Sequence, residues 1–199
     1  MVCSRKSLRT RVPMKDRCSF MLFAAIVLLI AIRPASAQVS AYGTIAVTNY
    51  AYSFNGDALN EGKDRVGIGA GGFYNFPIQS RLTAGIDVRG SVTPGPTGGE
   101  KVFVSGRIGF VPKRNPLRPY VQIGGGVISA NVPGYSNIVH SQTATHGALD
   151  LALGLDVRLS RGFDWRAMEV ESGAGVGSNS SSGSASISTG VLYRFGPRA

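Results

Sequence analysis

The sequence predicts an all-β fold: a single eight-stranded antiparallel up-and-down transmembrane β-barrel, preceded by a cleaved signal peptide. Three observations predict it. Residues 1–37 have the parts of an export leader, the remainder holds no apolar run long enough to cross a bilayer as a helix, and that remainder alternates apolar and polar residues with a period of two. All 27 glycines lie after position 42, scattered through the alternating segments, which further disfavours helices there.

The leader comes first. Its basic start (Arg5, Lys6, Arg9, Arg11, Lys15, Arg17) precedes an apolar run, Ser19–Ile32, and then the small residues Ala35-Ser36-Ala37. The run is about fourteen residues, whereas a spanning helix needs roughly twenty. Pro34 ends the run just before the Ala-x-Ala site and keeps that site extended for a peptidase. Cleavage is therefore expected before Gln38, giving a signal peptide over 1–37 and a barrel domain over 38–199.

Locating the charge removes a different reading. The formal +10 suggests a nucleic-acid binder, but seven of the 21 Lys and Arg lie before residue 34, and 14 bases face 10 acids beyond residue 37. No polyanionic partner is needed. Both cysteines, Cys3 and Cys18, fall in the leader, so the predicted mature chain has neither disulfide nor thiolate metal site.

Eight strands are expected near 40–53, 65–76, 80–92, 101–111, 118–130, 145–159, 163–172 and 185–195. The clearest is Ala148–Leu159, where Leu149, Leu151, Leu153, Leu155, Val157 and Leu159 alternate with Asp150, Ala152, Gly154, Asp156 and Arg158. A helix would scatter those leucines around its circumference; a strand puts them on one face. Short connections (Asn75–Ser80, Pro112–Leu117, Ser160–Gly162) alternate with longer ones (Asn55–Asp64, Thr93–Glu100, Asn131–Thr145, Gly173–Ser184), as in outer-membrane barrels. The seventh strand breaks parity: Trp165 and Ala167 share it with Glu169 and Glu171, while Arg166 shares it with Met168 and Val170. A bulge or register shift is expected there. Aromatic girdles are expected from Phe76, Phe110, Tyr120, Phe163, Trp165, Tyr193 and Phe195 at one end, and from Tyr50, Tyr52 and Phe54 at the other.

One face of the strands is aliphatic and the other mixes Gly, Ser, Thr and both signs of charge. A soluble barrel binder would put the aliphatic face inside, where eight strands leave too little room for it, so the polar face is assigned to the lumen. The lumen charges expected are Arg65, Arg81, Asp87, Arg89, Arg107, Asp150, Asp156, Arg158, Glu169 and Glu171. Paired, they would plug a narrow barrel. Glycines on that face are expected to make room for the charged side chains.

The last strand reads Ser188-Thr189-Gly190-Val191-Leu192-Tyr193-Arg194-Phe195. It resembles the C-terminal assembly signal of bacterial outer-membrane barrels, with Ser188, Gly190, Tyr193 and Phe195 at the four defined positions. With Pro119–Gly124 opening one strand and Arg166…Glu169 in another, residues 38–195 resemble the small bacterial outer-membrane β-barrel superfamily of outer-membrane protein A-like and opacity-type domains. The resemblance implies localisation in the outer membrane after export through the inner membrane, with outer-membrane lipid and the barrel assembly machinery as partners. It implies a structural or surface-interaction role without enzymatic activity or cofactor, any extracellular ligand being unidentified. The alternatives are a small-solute pore, a lipid-modifying barrel enzyme, and a soluble periplasmic β-barrel binding protein.

Other motifs are weaker. Gly67-Ile68-Gly69-Ala70-Gly71-Gly72 fits a dinucleotide loop literally but lacks the helix that motif requires. Pro116-Leu117-Arg118-Pro119, with Lys113 and Arg114, reads as a turn whose cations meet lipid phosphates. His140, Ser141 and His146 lack an orienting acid, and two histidines are too few for an ordinary metal site.

Overall fold

The computed structural model describes residues 38–54, 57–58, 63–132, 142–176 and 180–195. The expected leader lies outside them. Nine strands follow in order: β1 Gln38–Phe54, β2 Asp57–Ala58, β3 Arg65–Gln79, β4 Leu82–Thr93, β5 Gly99–Phe110, β6 Leu117–Val132, β7 Gln142–Arg158, β8 Phe163–Val176 and β9 Ser180–Phe195. The two residues of β2 fold back on the end of β1. The other eight each pair antiparallel with the next, and β9 pairs with β1 from Val39↔Phe195 to Phe54↔Ser180. The result is a closed eight-stranded up-and-down barrel without free edges.

Each predicted strand is present, and several run further than their patterning suggests. The Gly/Ser-rich stretch read as the loop Gly173–Ser184 is largely barrel wall, with β8 running to Val176 and β9 starting at Ser180, while Asn131–Thr145 is shortened at both ends by β6 reaching Val132 and β7 starting at Gln142. Such residues pair here because partners flank them on both sides: Ser184 opposes Tyr50 on β1 and Gly173 on β8. Likewise the Thr93–Glu100 loop shrinks to Pro94–Gly98, turning at Gly95 with φ of 115°.

The ladder closes with a stagger. From Tyr42 the paired residues run Gly71, Arg89, Phe103, Gly126, Ala148, Gly175 and Ser182, arriving at Tyr52, ten residues further along the same strand. That stagger tilts the strands by about 40° from the barrel axis.

Side chains sort by parity. Val39, Ile45, Val66, Ile68, Val88, Val104, Ile123, Leu149, Leu153, Ile187 and Val191 all stand exposed on the outer face. On β6 the outward series Leu117, Pro119, Val121, Ile123, Gly125, Val127 carries no charge. It covers about 33 Å along the strand, or roughly 25 Å of height at that tilt, the thickness of the apolar band of a membrane barrel.

At one end, here the turn end, lie Ser80–Arg81, Val111–Pro116, Leu159–Gly162 and the outer residues of β1 and β9. Phe76, Phe110, Phe163, Trp165, Tyr193 and Phe195 are exposed there, with Tyr193 in edge contact with Phe163 and Phe195. Tyr120 is not part of this girdle: its parity is that of Gln122, and it is buried in the lumen. The opposite girdle expected on β1 is also absent in that form. Tyr50 is buried inside and half-buried Tyr52 lies against His146, because both share the inward parity of Thr48; the Phe54 side chain lies outside the described residues.

Candidate functional site

The barrel interior gathers charge of both signs, and a single extra residue makes it possible. Along β8, Asp164 and Arg166 have even numbers while Glu169 and Glu171 have odd ones, so a regular strand would turn one pair outward. Between Arg166↔Gly190 and Glu169↔Ser188, β8 spends one residue more than β9, and the β7 ladder shifts between Leu155 and Asp156. This is the irregularity expected at the seventh barrel strand, a bulge at Ala167–Met168. It returns all four charged side chains to the lumen, where Arg166 Nη1 lies 3.2 Å from Glu169 Oε2. On the outside, the Thr189 hydroxyl donates to the Arg166 carbonyl at 2.9 Å and accepts from Trp165 Nε1 at 3.1 Å. The hydroxyl thereby gives the backbone carbonyl at the edge of the bulge a partner.

In the turn half of the lumen, Asp156 is the hub. Its carboxylate faces Arg107 at 2.8 Å, Arg166 at 3.2 Å and Arg194 at 3.7 Å. Asp164 accepts from Arg194 at 2.6 Å and from Arg118 at 3.4 Å. Aromatic faces complete the packing. The Arg107 guanidinium lies 3.5 Å from the Tyr120 ring centre and 4.2 Å from that of Phe73, and Arg166 lies 3.9 Å from that of Tyr42. The two phenols donate onward, Tyr120 to Glu169 at 2.6 Å and Tyr42 to Asp87 at 2.9 Å.

Nearer mid-height, Arg89 pairs with Asp150, donates to Gln122 at 2.9 Å and reaches Glu169 at 3.5 Å. Lys101 joins Glu171 at 2.5 Å and Ser186 at 3.1 Å. Above them toward the loop end sits an apolar cluster of Tyr50, Phe103, Ile128, Ala130 and Ala148. Beside it β9 turns Ser182, Ser184, Ser186 and Ser188 inward.

Of the charges assigned to the lumen from sequence, Asp87, Arg89, Arg107, Asp150, Asp156, Glu169 and Glu171 are buried inside, and Arg65 is half-buried, donating to Thr97 at 2.6 Å. Arg81 and Arg158 are not in the lumen. Arg81 falls in the tight turn because β3 continues to Gln79, and Arg158 ends β7; both are exposed. Five charges were missed: Lys101, Arg118, Asp164, Arg166 and Arg194. The paired lumen charges are thus Arg89, Lys101, Arg107, Arg118, Arg166 and Arg194 against Asp150, Asp156, Asp164, Glu169 and Glu171, with Asp87 held by Tyr42 and balancing the sixth base.

The lumen glycines serve a different neighbour from the one expected. Gly71 opposes Tyr42, Gly126 opposes Phe103 and Gly154 opposes Tyr120, and a Cβ on any of the three would collide with that ring. The rings lie flat against the wall because a glycine gives them the space. Guanidinium groups then fill the centre.

The space left among these charges is small. A cavity lined by Tyr42, Arg89, Lys101, Phe103, Glu169, Glu171 and their neighbours has a volume of ≈ 30 Å³, room for a water or two. Among the described residues no group of three His, Cys, Asp or Glu could hold a metal ion. His146 is buried near the loop end, and His140 and Ser141 lie outside the described residues. In the final strand Ser188 is buried in the lumen, while Tyr193 and Phe195 are exposed on the outer face. Gly190 shares the inward parity of Ser188 and Leu192.

No protein-family model and no curated protein matches the chain. Among solved structures it is similar to small barrels of the bacterial outer membrane. Ail, the attachment invasion locus protein of Yersinia pestis, is 12% identical with a TM-score of 0.49, over 78% of this chain and 98% of that one. The N-terminal β-barrel domain of Pseudomonas aeruginosa OprF is 12% identical with a TM-score of 0.46, over 76% and 97%. Neisserial surface protein A is 15% identical with a TM-score of 0.46, over 78% and 97%.

Proposed function

We propose that the chain is exported, loses residues 1–37, and resides in a bacterial outer membrane as a closed, plugged scaffold with a structural or surface-interaction role. The observation that carries this reading is the division of the wall: an uncharged aliphatic outer band and a lumen filled by paired charge. In water that band would be an exposed apolar surface far larger than a soluble monomer shows, which disfavours the soluble binder. In a bilayer it is satisfied, and closure leaves no backbone group unpaired at an edge. The same lumen disfavours a solute pore, since paired charges and the rings beside them fill its middle and the cavity among Arg89, Lys101, Glu169 and Glu171 has room only for water. No catalytic role is assigned.

On this reading the barrel assembly machinery recognises Ser188, Gly190, Tyr193 and Phe195 in β9, and the closing seam is the β9–β1 ladder. Fractionation tests the core claim. The protein should require detergent for extraction and migrate differently in gels before and after boiling; recovery from the soluble periplasm would overturn it. In planar bilayers it should show no sustained conductance.

A further inference from the structure

The exposed charges that the lumen does not use are divided between the two ends. At the turn end stand Arg81, Lys113, Arg114, Arg158 and Arg161, all exposed, and none pairs with a carboxylate among the described residues. Asp64 and Glu100, the described carboxylates that are exposed, lie at the loop end. Asp57 and Glu61 belong to the same β1–β3 connection as Asp64. Among the described residues five cations therefore share one rim with no counter-charge, while the exposed carboxylates lie at the other.

The cations form a ring rather than a patch. They occupy or border the three turns β3–β4, β5–β6 and β7–β8, three of the four gaps around that rim, the fourth being the β9–β1 seam. The ring borders the girdle of Phe76, Phe110, Phe163, Trp165, Tyr193 and Phe195. Aromatic side chains of this kind settle at the boundary between hydrocarbon and headgroups, so cations just beyond them face the headgroup layer and not bulk solvent.

We propose that this ring is a binding surface for the phosphate headgroups of anionic glycerophospholipids in the leaflet at the turn end, and that it fixes the barrel's depth and direction in the membrane. The proposal rests on the membrane reading above. Like-signed cations around a circumference repel one another and gain little from zwitterionic lipid, whereas a leaflet carrying net negative charge attracts each of them.

Trp165, the only tryptophan of the sequence, lies in the girdle and reports on the adjoining lipid. The full chain, recovered from membranes and reconstituted into phosphatidylcholine vesicles, is exposed to brominated phosphatidylglycerol or brominated phosphatidylcholine at equal mole fraction. Quenching by the anionic lipid is expected to be about threefold stronger, and high salt should abolish the excess. The combined variant Arg81→Gln, Lys113→Gln, Arg114→Gln, Arg161→Gln should lose it too, while Lys63→Gln at the loop end keeps it. Equal quenching by the two lipids, or a preference that survives salt or the four substitutions, overturns the ring as a lipid site but leaves the membrane barrel standing. Absence of quenching by either lipid removes the membrane reading itself. Should the four-site variant fail to fold, the salt dependence of the unaltered protein decides.

Discussion

The two halves of the lumen are closed by different physics. In the turn half, Arg107, Arg166 and Arg194 converge on Asp156 and lie against Phe73, Tyr42 and Tyr120. In the loop half, Tyr50, Phe103, Ile128, Ala130 and Ala148 pack without charge, beside a wall of serines. An ion network is all or nothing, because each buried charge depends on partners that cannot be replaced by water. An apolar cluster with hydroxyls beside it loses stability piecemeal. The turn half should therefore be brittle and the loop half tolerant.

Asp156→Ala should break the comparison open most violently. It leaves three buried guanidinium groups short of one carboxylate and should cost about 3–5 kcal/mol, lowering the temperature at which the compact gel form is lost. Asp156→Asn, which keeps the shape but not the charge, should recover little of that; full recovery would mean that packing, not charge, closes this half. Phe103→Ala, the largest wholly apolar truncation in the loop cluster, should cost about 3 kcal/mol through lost burial and the cavity left behind. Unlike the Asp156 variant it should fold normally, and urea titration in detergent separates the two.

How much of this could be read in the sequence depends on where parity holds. On β7 the alternation of four leucines with Asp150 and Asp156 fixes strand, face and lumen charges together. Lys101, Arg118 and Arg194 were equally accessible, since they share parity with the polar residues Arg107, Gln122 and Ser188; they were missed at strand ends, where the pattern is short. Asp164 and Arg166 were hidden for a physical reason. The bulge at Ala167–Met168 reverses parity within β8, so period two assigns one half of that strand to the wrong face however carefully it is applied. Arg81 and Arg158 fail oppositely: parity favours the lumen, but the wall ends before it can enclose them. The glycines opposite Tyr42, Phe103 and Tyr120 depend on register across strands, which alternation within one strand does not contain.

A smaller perturbation sharpens the turn half. Tyr120→Phe removes only the hydroxyl that donates to Glu169 at 2.6 Å, leaving the ring against Arg107 and in the space beside Gly154. A hydrogen bond to a buried carboxylate should make this worth about 1.5–3 kcal/mol. If the loss instead approaches that of Asp156→Ala, the phenol is holding the network together and not merely capping it.

The finest division lies within the serine wall, between two residues two positions apart on the same face of β9. Ser186 accepts from Lys101 at 3.1 Å, whereas the Ser184 hydroxyl is buried without a hydrogen-bond partner among the described residues. Ser186→Ala should thus cost about 1 kcal/mol, because the Lys101 ammonium keeps Glu171 and loses one acceptor. Ser184→Ala removes a hydroxyl that contributes no bond and replaces it with a methyl group beside Tyr50 on the paired strand, so its effect should lie within about 0.5 kcal/mol of zero or be slightly stabilising. Both substitutions delete the same atom from the same strand, so backbone propensity and volume cancel in their difference. Equal losses in parallel urea titrations would show that the serine wall acts as a hydrated surface throughout, and that the charged plug ends below Lys101.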